Sequence, residues 1–275
     1  MNRQFVNFIM IAFFFSTGIT SRSFSQDLFS WPRPLVVGSI GDSISRATNS
    51  TVFGEVPFSS WATGGDTRVF SQAARLQEET GSLVFTYNYA RSGAQMRHLR
   101  KQAQKLLKRK PDYVTILIGA NDLCSWKQNN TTQLQAFESE LRGTLDDLTT
   151  SSPKVKIILS AIPDMLRMYE LGKQKGCSMM WKVFRFCSPL LGKDRTEMQR
   201  LQFYDRWIDA NNSLASIADE YPNNVFFAES IKDYEFSKDD IAVRDCFHPS
   251  IKGQRALSEQ IWNAGWFKAF QENLP

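Results

Sequence analysis

The chain has 275 residues, 42% of them hydrophobic and 22% charged, a globular balance with enough length to bury a core that needs no covalent staple. Its formal charge of +5 is modest and includes Arg3 of a segment expected to be removed. That excess falls far short of a nucleic-acid-binding footprint and reads as solvated surface charge.

Residues 1–25 read as a secretory signal. Arg3 gives the positive start, and Phe5 to Phe15 is an apolar run broken only by Asn7. Ser23 and Ser25 flank Phe24, which suits cleavage after Ser25. The run is shorter than the roughly 20 apolar residues a membrane-spanning helix needs. This predicts one mature domain over residues 26–275 of a secreted or otherwise extracytoplasmic protein, periplasmic in a Gram-negative bacterium.

Five short apolar, β-branched-rich runs then alternate with helical patterns. Leu35 to Ile40 is the first predicted strand, followed by a helix over Thr67 to Thr80. Leu83 to Tyr89 is the second strand. Its helix runs from Gln95 to Lys108, with Leu99, Ala103, Leu106 and Leu107 at helical spacing. Tyr113 to Ile118 is the third strand, and Leu134 to Leu148 places Phe137, Leu141, Leu145 and Leu148 on one stripe. Val155 to Ile162 and Val225 to Phe227 complete the strands. Helices are predicted over Thr196 to Tyr221 and Ile251 to Phe270. Near-continuous apolar runs mark strands buried on both faces, and the alternation predicts βαβ units: an α/β three-layer sandwich with a mostly parallel sheet. Ligands of such sheets bind beyond the carboxyl ends of the strands, which directs attention to the residues just after each run.

Gly41-Asp42-Ser43-Ile44-Ser45 follows the first strand and puts a serine hydroxyl at the sheet edge. Ala90-Arg91-Ser92-Gly93 follows the second, where a glycine lets backbone approach a ligand. Gly119-Ala120-Asn121-Asp122 follows the third, and the Asn121 amide suits a developing oxyanion. Near the end stands Asp245-Cys246-Phe247-His248. A serine nucleophile needs a base of near-neutral pKa, and Asp245 is spaced to reach back to the imidazole on a tight turn. The second histidine, His98, lies in a basic helical stretch and reads as surface or helix packing. The cations of that stretch, Arg97, Arg100, Lys101, Lys105, Lys108, Arg109 and Lys110, read as the solvated face of an amphipathic helix, with docking to an anionic membrane as the alternative.

Taken together and in order, Ser43, Gly93, Asn121 and His248 resemble the blocks of the SGNH (GDSL-type) hydrolases, with Ile44 where the namesake motif has Leu. Ser60-Trp61-Ala62-Thr63-Gly64-Gly65-Asp66, Asn121-Asp122-Leu123-Cys124 and Asp245-Cys246-Phe247-His248 are similar to the phospholipase B-like branch. The resemblance implies a flavodoxin-like five-stranded fold. It also implies a secreted serine esterase acting on lipid acyl esters, with a Ser43–His248–Asp245 triad, an oxyanion hole from Ser43, Gly93 and Asn121, and no metal or cofactor. The G-x-S-x-G elbow of α/β-hydrolases is missing, since Ser45 stands where its second glycine would be. An acylated carbohydrate as substrate, or a non-catalytic secreted binding protein, are the alternatives. The expected partners are a small-molecule or lipid ester and a transient membrane surface, with no nucleic acid; oligomeric state is left open.

Cys124, Cys177, Cys187 and Cys246 allow two disulfides in three pairings. Cys177 and Cys187 are near enough to close a small loop, and Cys124 and Cys246 both lie in motif segments that the site would bring together. The stretch from Met165 to Arg195 is a candidate lid or acyl-binding wall. Trp61, Trp126, Trp181 and Phe247 are candidates for lining an acyl cleft.

Overall fold

The first apolar run becomes strand β1, Leu35–Gly41, and the four later runs give β2 (Val84–Asn88), β3 (Tyr113–Leu117), β4 (Lys156–Ser160) and β5 (Val225–Ala228). They form one sheet in the order β2-β1-β3-β4-β5, and all four pairings are parallel, so the sheet is wholly rather than mostly parallel. The structure is a computed structural model that describes residues 34–126, 131–184 and 186–267. The signal expected over residues 1–25 lies outside the described residues.

Parallel strands need crossovers, and here they are helical. The helices are α1 (Gln72–Thr80), α2 (Leu99–Leu107), α3 (Ala120–Ser125), α4 (Thr131–Ser151), α5 (Met165–Gln174), α6 (Ser178–Phe184), α7 (Ser188–Leu191), α8 (Glu197–Asp219) and α9 (Ile251–Asn263). Alternation along each strand divides the interior into two cores. Val114, Ile116, Ile157 and Leu159 pack with Leu99 and Leu106 of α2, Leu141 and Leu145 of α4, and Leu214 of α8. Tyr113, Leu117 and Ile158 point the other way, toward Leu76 of α1, Leu171 of α5, and Leu257 and Ile261 of α9. The three-layer α/β/α sandwich follows.

Two predicted helices start later than their apolar pattern suggests. The Thr67-to-Thr80 helix begins at Gln72, where Ser71 caps it by accepting from the Ala74 amide at 3.3 Å and Phe70 has φ +52°. The Gln95-to-Lys108 helix opens with a 3-10 turn over Met96–His98. In both cases a side-chain cap overrides the hydrophobic period. The serine turn has its own local shape. Residues 43–49 form consecutive turns rather than a helix, and α1 is the first α-helix after β1.

The chain leaves β1 toward β2 on one side and reaches β3 on the other. The crevice beyond the ends of β1 and β3 is thus the point where strand order reverses, the usual ligand position in such sheets.

Candidate active site

The site starts with the backbone of Gly41. Its φ is +144°, and a Cβ there would stand 2.1 Å from the Leu117 carbonyl oxygen of β3, so only glycine lets β1 end this close to its neighbour. Gln102 of α2 fixes this residue from both sides: its Oε1 accepts from the Gly41 amide at 2.7 Å and its Nε2 donates to the Gly41 carbonyl at 3.0 Å. Asp42 and Ser43 are therefore delivered beyond the sheet edge in one position.

The turn after Ser43 is braced from three directions. Gln254 Nε2 of α9 donates to the Ile44 carbonyl at 2.9 Å. Ser60 Oγ and Asn88 Nδ2 both donate to the Ser45 carbonyl at 2.8 Å. The Ser60-to-Asp66 motif is thus scaffolding: Asp66 accepts from Ser59 Oγ and Arg68, and fully buried Trp61 belongs to the core.

The terminal Asp245-to-His248 segment folds over this turn. His248 Nε2 lies 2.8 Å from Ser43 Oγ, and His248 Nδ1 lies 2.5 Å from Asp245 Oδ2. Asp245 Oδ1 accepts the amides of Phe247 and His248 at 2.9 and 3.0 Å. Ser43, His248 and Asp245 are 6%, 7% and 1% exposed, so the line of three is shielded from water. Burial pushes the Asp245 carboxyl up, but its bonds to His248 and Asn49 and the charge of His248 outweigh this and hold it below the usual carboxylate range.

Asn49 is a contact the sequence did not reveal. Its Nδ2 donates to Asp245 Oδ2 at 2.5 Å, the oxygen that also faces His248. Asn49 sits at φ +60°, a region asparagine tolerates, and is clipped to Gly54 by bonds of 2.8 Å (amide to carbonyl) and 2.7 Å (Gly54 amide to Asn49 Oδ1). An asparagine six positions after a candidate serine is a common turn residue, so only the three-dimensional contact distinguishes it.

Asn121 lies beside Ser43 and His248 on the wall of a cavity of about 20 Å³. Its Nδ2 donates to the Ala94 carbonyl at 3.0 Å, which fixes the amide and leaves a second N–H. Gly93, with φ +74°, immediately precedes Ala94 and is exposed rather than part of that wall. Among the described residues, neither the Ser43 nor the Gly93 amide donates to a protein acceptor.

The rest of the wall is apolar: Ile44, Ala120, Pro163, Met165, Met168 and Phe247. Of the four aromatic candidates for a cleft, only Phe247 lines it. Its ring stacks on Phe186 at 6.0 Å and meets His248 edge-on at 5.3 Å. Trp126 packs edge-to-face on Phe137, and Trp181 donates to the Cys246 carbonyl at 3.1 Å. A larger groove of about 700 Å³ between α5 and α8 includes neither Ser43 nor His248.

Two further carboxyls lie beneath the site. Burial lifts Asp42 to about 7, although the Ile44 amide bonds its Oδ1 at 2.9 Å and His248 lies near. Burial also lifts Asp122 to about 7. The Met96 amide opposes that shift and the charge of Asp42 adds to it.

The disulfides take neither of the expected partnerships. Cys124 joins Cys187 and Cys177 joins Cys246. Cys177 and Cys187 flank α6, whose Trp181 turns inward, so each reaches a different partner rather than the other. Both bonds tie the Met165-to-Arg195 insert to the segments carrying Asn121 and His248. His98 is structural: its Nδ1 accepts the Gln95 amide at 2.9 Å at the entry to α2. In the basic stretch around α2, Arg100 pairs with Asp147 at 2.8 Å and Arg109, just past the helix, lies over the Tyr87 ring. Among the described residues, no helix is long and apolar enough to cross a membrane.

The human protein named "Phospholipase B1, membrane-associated" is 23% identical over 273 residues, covering 83% of this chain; the match takes in 18% of that protein, so the chain spans about a fifth of its relative's length. The lipase/acylhydrolase of Enterococcus faecalis superposes with a TM-score of 0.54 at 17% identity, covering 85% of this chain and 96% of that one. A family 3 carbohydrate esterase of Clostridium thermocellum gives 0.53 at 14% identity, covering 86% and 98%. The model of the GDSL-like Lipase/Acylhydrolase family matches residues 39–256. The chain therefore belongs to the GDSL-like lipase/acylhydrolase family.

Proposed function

We propose that the protein is a secreted serine hydrolase of lipid acyl esters, and that the hydrogen-bonded line Ser43–His248–Asp245 carries this reading. Ser43 Oγ attacks the ester carbonyl while His248 Nε2 takes its proton. The tetrahedral oxyanion collapses, the C–O bond to the alcohol breaks, and the imidazolium returns the proton to the leaving oxygen. Water then repeats the cycle on the acyl-serine and releases the acid. Asp245 keeps Nδ1 protonated and stabilises the imidazolium. Asn49 positions Asp245 and touches no reacting atom. The Ser43 and Gly93 amides and the remaining Asn121 N–H are the donors for the oxyanion.

The lipid assignment draws on the apolar wall around Ser43 and on the likeness to phospholipase B1. Export fits two disulfides, which persist in oxidising compartments. One observation favours a second reading, a short acyl ester such as an acetylated sugar: the slot of about 20 Å³ has room for little more than a methyl-sized group. Met165 and Met168 form part of that wall, and thioether side chains reposition readily, so longer chains require those two to move.

Two experiments test the proposal. A fluorophosphonate probe labels the wild type and not Ser43→Ala, which keeps its fold and loses ester hydrolysis; undiminished turnover in Ser43→Ala or His248→Ala removes the assigned nucleophile or base. A panel of esters from acetyl to long-chain, with phospholipids and an acetylated sugar, separates the two substrate readings.

A further inference from the structure

One cation in the interior forms no ion pair among the described residues. Arg206 of α8 is 8% exposed, and its Nε makes no hydrogen bond. Among the described residues no carboxylate forms an ion pair with it. Asp205, the next residue along α8, is exposed, and the guanidinium's close neighbour is the Phe203 ring at 5.6 Å. Burying a guanidinium without an ion pair is costly, and burial lowers its pKa against the opposing charge of exposed Asp205.

The surroundings suit an anion. Arg206 lines a cavity of about 460 Å³ with Arg195, Gln199, Gln202, Ser125 and Trp126, and among the described residues no carboxylate lines it. Gln199 Oε1 is taken up by the Thr196 amide in the α8 capping box, so the side of Gln199 left to the cavity is its NH₂ donor. Arg195 is exposed and gives only its Nε to the Ser188 carbonyl, at 3.3 Å. Two guanidiniums and an amide donor with no acid among them form an anion-selective lining. A planar guanidinium fork matches phosphate oxygens two at a time. The cavity also neighbours the catalytic crevice: Asn121 lines one and Ser125 the other, one turn apart on α3, a rise of about 6 Å.

We propose that this cavity is an anion site in which buried Arg206 and exposed Arg195 hold the tetrahedral oxyanion of a phosphate or phosphate ester. Joined to the lipid-ester reading, on which this extension alone rests, the site receives the headgroup phosphate of a phospholipid whose ester lies at Ser43.

Calorimetric titration of Ser43→Ala with inorganic phosphate, and separately with glycerol 3-phosphate, tests the site without turnover. One saturable site is expected, weakened about tenfold or more by adding Arg206→Met and less by Arg195→Gln. Arg206→Met removes a buried charge that forms no ion pair, so its melting temperature without phosphate should equal or exceed that of its parent. Arg195→Gln lies on the surface and keeps the test open if Arg206→Met fails to fold. The source of the phosphate is read on active enzyme, from the kcat/KM ratio of a lysophospholipid to a monoacylglycerol of the same chain. A fall in that ratio with Arg206→Met assigns the headgroup; a constant ratio with lost phosphate affinity assigns a free phosphate or soluble phosphate ester. No saturable binding, or equal binding with and without Arg206, overturns the proposal. Turnover surviving in Ser43→Ala overturns the nucleophile instead and leaves the titration valid.

Discussion

Asn49 gives the sharpest test of the proposed catalytic line. Asp245 receives four donors: His248 Nδ1 and Asn49 Nδ2 on Oδ2, each at 2.5 Å, and two backbone amides on Oδ1. Asn49→Asp keeps the shape, the φ of +60° and an oxygen for the Gly54 amide; it replaces only the donor facing Asp245. Asn49→Gly keeps the backbone and removes the side chain. A hydrogen bond to a buried charge contributes about 1.5–3 kcal/mol, so losing it should lower kcat roughly 10- to 100-fold with KM little changed. The pH profile separates this from a general loosening. Without the Asn49 donor the Asp245 carboxylate is more basic and stabilises the imidazolium more strongly. The acid limb of kcat/KM then moves to higher pH, by about one unit for each 1.4 kcal/mol. Asn49→Asp sets a second carboxylate against the first and should show the larger shift. Stopped-flow hydrolysis of an activated acetate ester across pH 5–9 reads both quantities. Superimposable profiles, with kcat within twofold of wild type in both variants, would refute the positioning role.

Three other expectations arise from the site's surroundings. Asp42 and Asp122 hold their protons up to about 7, whereas an unfolded carboxylate releases its proton near 4. Their folded pKa values lie above the unfolded ones, so their contribution to stability falls as pH rises from about 4 to about 7 and is level beyond; the melting temperature should be higher at pH 5 than at pH 8, and Asp42→Asn should flatten that slope. Paired replacement Cys177→Ala with Cys246→Ala opens a link of 69-residue separation, which should cost about 2–4 kcal/mol in denaturant unfolding and lower kcat by freeing the His248 segment. Met168→Ala lengthens the acyl slot, so preference for longer over acetyl esters should rise roughly fourfold per added methylene, read as kcat/KM ratios along an ester series.

Strand order along the chain and the residues that matter after each strand were legible because both come from local pattern. Leu35 to Ile40 and Tyr113 to Ile118 are apolar on both faces, and a parallel sheet presents the residues after such strands at one edge. Ser43 and Asn121 could be selected that way, and His248 by its pairing with Asp245 three residues earlier; the structure brings Ser43, Asn121 and His248 to one wall. Gly93 could be selected too, but its backbone lies just outside that wall. Helix starts were less legible, since the caps at Ser71 and Gln95 depend on one side chain reaching one amide. The disulfide partners, Asn49 and Phe186 were beyond reach for a common reason: each acts across a large sequence separation, and nothing in its own neighbourhood encodes the other end. Asn49 and Asp245 are 196 positions apart.

Under the proposed function, the two sulfur bridges have a consequence for how an ester reaches Ser43. Cys124–Cys187 pins the insert to the helix that carries Asn121, and Cys177–Cys246 pins it to the loop between Asp245 and His248. A flap hinged on one side could swing clear of the mouth. A strap fastened to both banks cannot, and any larger guest must be accommodated by rearranging side chains beneath it. Breadth of specificity in this protein is then set by the pliancy of a few thioethers, and reducing conditions become a way to change what the crevice accepts.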